Sequence, residues 1–176
     1  MMNLMDGSFR VEVLSRAWQV FDTLVGLERV KMLPCRQAGY FVVLEPVGDE
    51  AKTYIETLSF FMGQPSDLIA AGMDIEALVN PARRNGQALT YHQDLVSSWQ
   101  MRGNGVYTGG AIRLHGGAIF SFSSSCTAEE GRQTELSDEA VVLCTARGLG
   151  MAETEEVKRV SKTSHNHFFE ELWLTY

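Results

Sequence analysis

Basic residues are scarce in this chain. Lysine and arginine total 15 against 22 aspartates and glutamates, a formal charge of −7, and only Arg83-Arg84 and Lys158-Arg159 stand side by side. A nucleic-acid backbone is held by a lysine- and arginine-rich surface, so the reading is no nucleic-acid partner. Long apolar runs are missing too. None approaches the roughly 20 residues of a bilayer-spanning helix. The first ten residues carry Asp6 and lack the basic-then-apolar layout of a signal peptide. The expectation is a cytoplasmic protein with no membrane partner. Cysteine is rare: Cys35, Cys126 and Cys144 are odd in number and form no Cys-x-x-Cys pair, which suits free thiols in a reducing compartment.

Several catalytic strings are absent as well. No Gly-x-Ser-x-Gly elbow surrounds the serines Ser121 and Ser123–Ser125. Gly103, Gly105, Gly109 and Gly110 precede no Gly-Lys-Ser/Thr and open no strand-to-helix turn, which excludes a P-loop and a dinucleotide fingerprint. Glu129, Glu130 and Glu135 lack the alternation of a calcium loop and read as a solvated acidic segment. What remains is ordinary globular composition, 45% hydrophobic and 21% charged, long enough for one well-filled core.

The chain is organised around Val106–Ser125. Two apolar runs, Ala111–Leu114 and Ala118–Phe122, flank His115-Gly116-Gly117, and this pattern predicts a β-hairpin with Phe120 and Phe122 on its buried face. Upstream, Val11, Leu14, Trp18, Phe21 and Val25 predict a helix over 9–27, capped by Ser8 and stopped at Gly26. Strands are expected at Arg29–Pro34 and Tyr40–Pro46, the second buried on both faces. Ala51, Tyr54, Ile55, Leu58, Phe61 and Met62 recur at helical spacing and predict a second helix over about 50–62. A short helix follows at 65–72, and Asp74–Val79 adds a turn that Asn80-Pro81 breaks. Residues 80–105 read as the least regular part, a binding loop or an inserted element, with room for a strand or a helical turn within Leu89–Trp99. After an acidic loop over 127–135, Ser137 begins a helix that ends near Arg147, with Asp138 and Glu139 in its first turn. Cys144 falls on its core stripe. Thr154 caps one final helix carrying Val160, Ser164, Phe168 and Leu172. The expected architecture is α+β, an antiparallel sheet of about five strands flanked by helices in a profilin-like arrangement. Residues 1–153 form the domain, and 154–176 form a helix packed on it or on a partner subunit.

Three strings carry a resemblance: Thr108-Gly109-Gly110-Ala111-Ile112, Gly117-Ala118-Ile119-Phe120-Ser121-Phe122-Ser123, and Ser137-Asp138-Glu139-Ala140-Val141. Together they resemble the end of the GlcG/HbpS-type family, which includes haem-binding proteins and a corrinoid adenosyltransferase domain. Ala51–Leu68, with Pro65-Ser66, is similar to that family's alanine-rich helix and its following turn. The resemblance spans about 40–150. It departs at Ala111, where the family has proline, at Ser121, where it has glycine, and at Gln37-Ala38-Gly39, which shortens its Asp-x-x-Gly turn. It implies haem, a corrinoid or a small organic acid as ligand.

Candidate ligand-binding residues follow from location and chemistry: Tyr91 and His92 in the long loop, Tyr107, Gly109 and Gly110 before the hairpin, and His115 at its tip. An imidazole ligates haem iron, whereas a histidine in a turn also serves as an ordinary polar residue. His165 and His167 are two apart and cannot share a metal on one helix. The first functional expectation is therefore a small-molecule-binding homo-oligomer. A non-catalytic adaptor working through Phe168, Phe169, Leu172, Trp173 and Tyr176 is the second, and a small enzyme using a loop residue such as Cys126 or a histidine is the third.

Overall fold

The computed structural model describes residues 7–30, 38–48, 53–64, 66, 69, 72, 74–104, 110–125 and 131–175. In chain order these form α1 (Gly7–Val30), β1 (Ala38–Val47), β2 (Thr53–Gly63), α2 (Glu76–Tyr91), a 3-10 helix (Ser98–Asn104), β3 (Ala111–Arg113), β4 (Ile119–Ser124), α3 (Gly131–Gly148), α4 (Thr154–Ser164) and α5 (His167–Thr175). The fold is α+β. Among the described residues one antiparallel sheet has four strands in the order β2-β1-β4-β3, against the five or so expected. No described helix is long and apolar enough to cross a membrane.

Strand β1 is central, and its apolar run is buried from Ala38 to Leu44 because both faces are covered. Tyr40, Val42 and Leu44 share a core with Ala111, Ile119 and the Leu78, Ala82, Ala88 and Leu89 face of α2. Phe41 and Val43 face the other way, with Ile112, Phe120 and Phe122, onto α1 and α3. The expected hairpin is present, with Ile112 opposite Phe120. Its second face is buried as well: Ser121 donates to the Ala82 carbonyl of α2 at 2.6 Å.

The helix expected over 50–62 is instead strand β2, paired with β1 along its length. Its register shifts between Val43 and Leu44, with Val43 opposite Leu58 and Leu44 opposite Glu56. That bulge brings Ile55 and Leu58, three residues apart, to one side of the sheet, so a strand takes on the spacing of a helix turn. The β-branched and aromatic content of Thr-Tyr-Ile-Glu-Thr-Leu-Ser-Phe-Phe, and β1's need for a partner, decide the outcome. The upstream part of the family resemblance rested on that helix and loses it.

Residues 80–105 are also more regular than expected. Helix α2 continues through Pro81, at the loss of one backbone bond, and buries Leu78, Ala82, Asn85, Gly86, Ala88 and Leu89. Gly86 lets it approach closely, since a Cβ there would meet Leu44 Cδ1 at 3.1 Å and Ser121 Cβ at 3.3 Å. Helix α1 runs past both expected ends, to Gly7 and Val30, so Ser8 is no cap, Gly26 no stop and Arg29 not in a strand. It buries Phe9, Val13, Ala17, Val20, Phe21 and Leu24, leaving Val11 68% exposed. Of the expected stripe, Phe21 is buried and Trp18 and Val25 pack against the core, while Val11 and Leu14 are exposed. Helix α3 begins at Gly131, six residues before the expected Ser137, so Asp138 and Glu139 lie within it and are buried. The rest of the expected strand over 29–34 and most of the short helix over 65–72 lie outside the described residues.

The C-terminal helix is two helices. His165 adopts a left-handed conformation (φ 54°), while Asn166 N–H donates to the Ser161 carbonyl at 2.7 Å and closes α4. Its N-cap is Glu153, not Thr154. Phe169 and Leu172 of α5 then enter the same core as α1 and α3, and Phe168 and Trp173 pack against it.

Two glycines give opposite expectations for stability. A Cβ on Gly39 would stand 2.2 Å from the buried Phe122 ring, so Gly39→Ala should destabilise the fold by about 1–3 kcal/mol. Gly26 lies within α1 with nothing within 4 Å, and Gly26→Ala should stabilise it by about 0.5–1 kcal/mol. Urea midpoints at constant m-value check both.

Candidate functional site

A cleft of about 390 Å³ opens where the hairpin tip meets the corner between α3 and α4, lined by His115, Gly150, Met151, Glu153, Glu156 and Arg159. Local chemistry builds each wall. In the hairpin, Leu114 N–H donates to Ala118 at 2.8 Å and Gly117 N–H to Leu114 at 2.9 Å. Gly116 and Gly117 supply the positive φ angles (94° and 90°) that turn the chain there and carry His115 to the tip. Opposite, Gly150 N–H reaches Arg147 at 3.0 Å and Met151 N–H reaches Ala146 at 2.9 Å, closing α3 on its own carbonyls. The chain then turns into α4. Val157 and Val160 of that helix are buried, which leaves Glu153, Glu156 and Arg159 on its outer side.

A buried carboxyl fixes the far end of α4 against α3. Glu139 of α3 is wholly buried, with Ser97 hydrogen-bonded to Oε2, Ser164 to Oε1, and Asn166 Nδ2 donating to Oε1 at 3.1 Å. Asn166 Nδ2 also donates to the Leu136 carbonyl at 2.6 Å, and Phe169 N–H donates to Asn166 Oδ1 at 3.2 Å. One carboxyl thus joins α3 to the end of α4, the start of α5 and the segment before the 3-10 helix. Burial pushes Glu139 above the usual carboxylate range, against the lowering effect of Ser164, Ser97 and Asn166. Serine beside a carboxyl invites a nucleophile reading, but Ser97 and Ser164 are as buried as Glu139, and the bonds that hold them are structural.

The other sequence-derived candidates do not converge on this cleft. Tyr91 ends α2 and is 83% exposed. His92 is exposed beside it and contributes its carbonyl to Arg113 Nη2 at 3.3 Å. Gly110 lies at the opposite end of β3 from the hairpin tip. A Cβ on it would meet Asp138 Cβ at 3.2 Å and Phe122 O at 2.4 Å. Asp138 in turn accepts from the Ser124 backbone at 3.2 Å and from its hydroxyl. Tyr107, Gly109, Cys35, Cys126 and Tyr176 lie outside the described residues. Cys144 is buried, and desolvation pushes its thiol far above the ordinary range, which makes it inert.

Arg113 is the residue sequence reasoning passed over. Its guanidinium donates to Tyr54 Oη at 2.5 Å, to the Leu89 and His92 carbonyls at the end of α2, and to Leu95 at 3.3 Å. Those bonds commit it to closing α2 rather than to a ligand. Glu153, Glu156 and Arg159 were missed as well; their spacing on α4 matched an ordinary solvated helix face. Among the described residues no cluster of histidine, cysteine, aspartate or glutamate is arranged to hold a metal. Comparisons with protein-family models, curated proteins and solved structures find no match to this chain.

The Glu139 arrangement predicts a pH signature. With its folded pKa raised, this carboxyl stabilises the fold fully below its unfolded value near 4.5, and that contribution is lost as pH rises toward the folded pKa. The difference in stability between wild type and Glu139→Gln should therefore shift against wild type from pH 5 to pH 8. Glu139→Ala, which removes all three of these hydrogen bonds and leaves a cavity, should cost about 2–5 kcal/mol. Urea titrations at both pH values check this; an identical pH slope for wild type and the glutamine variant would contradict it.

Proposed function

We propose that this chain is a small-molecule-binding domain whose site is the His115 cleft, and that its ligand is a small organic acid bearing an amino or hydroxyl group. The cleft itself carries the reading. Its volume is of the size that holds a small ligand, and its lining brings a guanidinium, an imidazole and two carboxylates around one space. Arg159 and His115 suit a carboxylate, Arg159 by its paired donors, while Glu153 and Glu156 suit an ammonium or hydroxyl.

The same lining weighs among the ligand classes that the GlcG/HbpS-type resemblance implies. His115 and Met151 are side chains that can ligate haem iron, yet a porphyrin or corrin ring asks for broad apolar walls. This wall carries Glu153, Glu156 and Arg159. The small acid is the member of that set the cleft fits. We read the sheet as profilin-like and the chain as a distant relative of that family, on the strings between 108 and 141 alone.

Calorimetric titration with a panel of short amino and hydroxy acids, with haem and cobalamin alongside, tests the reading. At least one acid should bind saturably, and Arg159→Ala and His115→Ala should each weaken it at least tenfold, with unchanged circular dichroism. Binding of haem or cobalamin in preference to every acid, or acid binding untouched by both substitutions, would overturn it.

A further inference from the structure

The charged wall of the cleft has an order. Glu153, Glu156 and Arg159 follow one another at intervals of three, and residues three apart are neighbours on a helix surface, so they form one row along α4. At a rise of about 1.5 Å per residue, the row spans roughly 9 Å. Its two carboxylates stand at the end nearer the corner with α3, and its guanidinium stands at the other end.

The row keeps its charges available. Lys158 and Glu155, both exposed and also spaced by three, close an ion pair of 3.0 Å. Glu156 and Arg159 have the same spacing and close none. Among the described residues, the side chains of Glu153, Glu156 and Arg159 take no hydrogen bond or ion pair from another residue. The helix dipole accounts for carboxylates in a first turn. It does not account for a base one turn on that leaves them unmatched inside a cleft of about 390 Å³.

Building on the reading of this cleft as the ligand site, we propose that its ligand is a dibasic amino acid. The carboxylate lies on Arg159, the α-ammonium on Glu156, and a second ammonium, at the end of the side chain, on Glu153. Charge selects this class. The row presents one positive and two negative groups, and a ligand with one carboxylate and two ammonium groups matches each in turn. An amino acid with a single ammonium leaves one carboxylate unmatched, a dicarboxylic acid sets its second charge against Glu153, and a diamine leaves Arg159 without an anion. The order along the row agrees as well. In such a molecule the α-ammonium sits beside the carboxylate, as Glu156 neighbours Arg159, and the side chain carries the second ammonium on toward Glu153. The chain's charge of −7 adds long-range attraction for a ligand with net positive charge.

Calorimetric titration of the full chain with lysine, ornithine, norleucine and cadaverine tests this. Norleucine has the lysine chain without its second ammonium, and cadaverine lacks the carboxylate. Lysine or ornithine should bind at least tenfold more tightly than either. Glu153→Gln should abolish the advantage of lysine over norleucine; Glu153 makes no side-chain cap bond, so its replacement leaves the start of α4 intact. Norleucine binding as tightly as lysine, or a lysine advantage that survives Glu153→Gln, would overturn the proposal and leave the cleft standing as a site for other small acids. No saturable binding by any amino or hydroxy acid, or lysine binding untouched by Arg159→Ala, would overturn the cleft reading itself and this proposal with it.

Discussion

A single buried carboxyl group, Glu139 of α3, ties that helix to the end of α4, the start of α5 and the segment before the 3-10 helix. Its oxygens take hydrogen bonds from Ser97, Ser164 and Asn166, which belong to three segments with no strand pairing of their own to the central β1. Hydrophobic burial alone leaves the relative positions of such segments loosely defined, because apolar contact has no direction. Hydrogen bonds have direction. The desolvation of Glu139 opposes folding, and its three polar partners offset that cost while fixing the end of α4 against α3.

The proposed site inherits its geometry from that anchor. Arg159 and Glu156 belong to α4 and Glu153 is its N-cap; the far end of that helix is fixed by Ser164 and Asn166, while His115 is held at the hairpin tip by the Gly116-Gly117 turn. Two separately rigid pieces therefore face each other across the cleft, the arrangement that lets a ligand bind without ordering the protein first. At the far end of the sheet, Ser124 donates to Asp138 through its backbone N–H and its hydroxyl, a second polar contact that fastens α3 to β4.

The sequence was most readable where pattern and environment agree. The hairpin over 111–124 announces itself through its glycines and alternating aromatics, and β1 through an apolar run buried on both sides. Strand β2 was misread because its bulge gives a strand the spacing of a helix. Helix α2 was misread because Pro81 breaks a helix in isolation, whereas packing of Ala82, Gly86 and Leu89 on the sheet keeps this one continuous. Residues acting through long-range contacts left almost no local trace. Glu139 looked like a dipole-favoured residue of a first helical turn, and Arg113 was one polar letter in a hairpin. Of the site, His115 was legible from its place at a turn. Its partners on α4 were not, because the break at His165 and Asn166 that orients α4 is a tertiary feature.

The central claim is that ligand enters the cleft between the hairpin tip and the α3–α4 corner. Methyl-labelled methionine NMR tests it most directly, because Met151 lines the cleft while Met62 and Met101 lie in the buried cores on either side of the sheet. Titration with a binding acid should shift the Met151 methyl resonance and leave Met62 and Met101 in place. A silent Met151 beside shifts at the buried methionines would contradict the account.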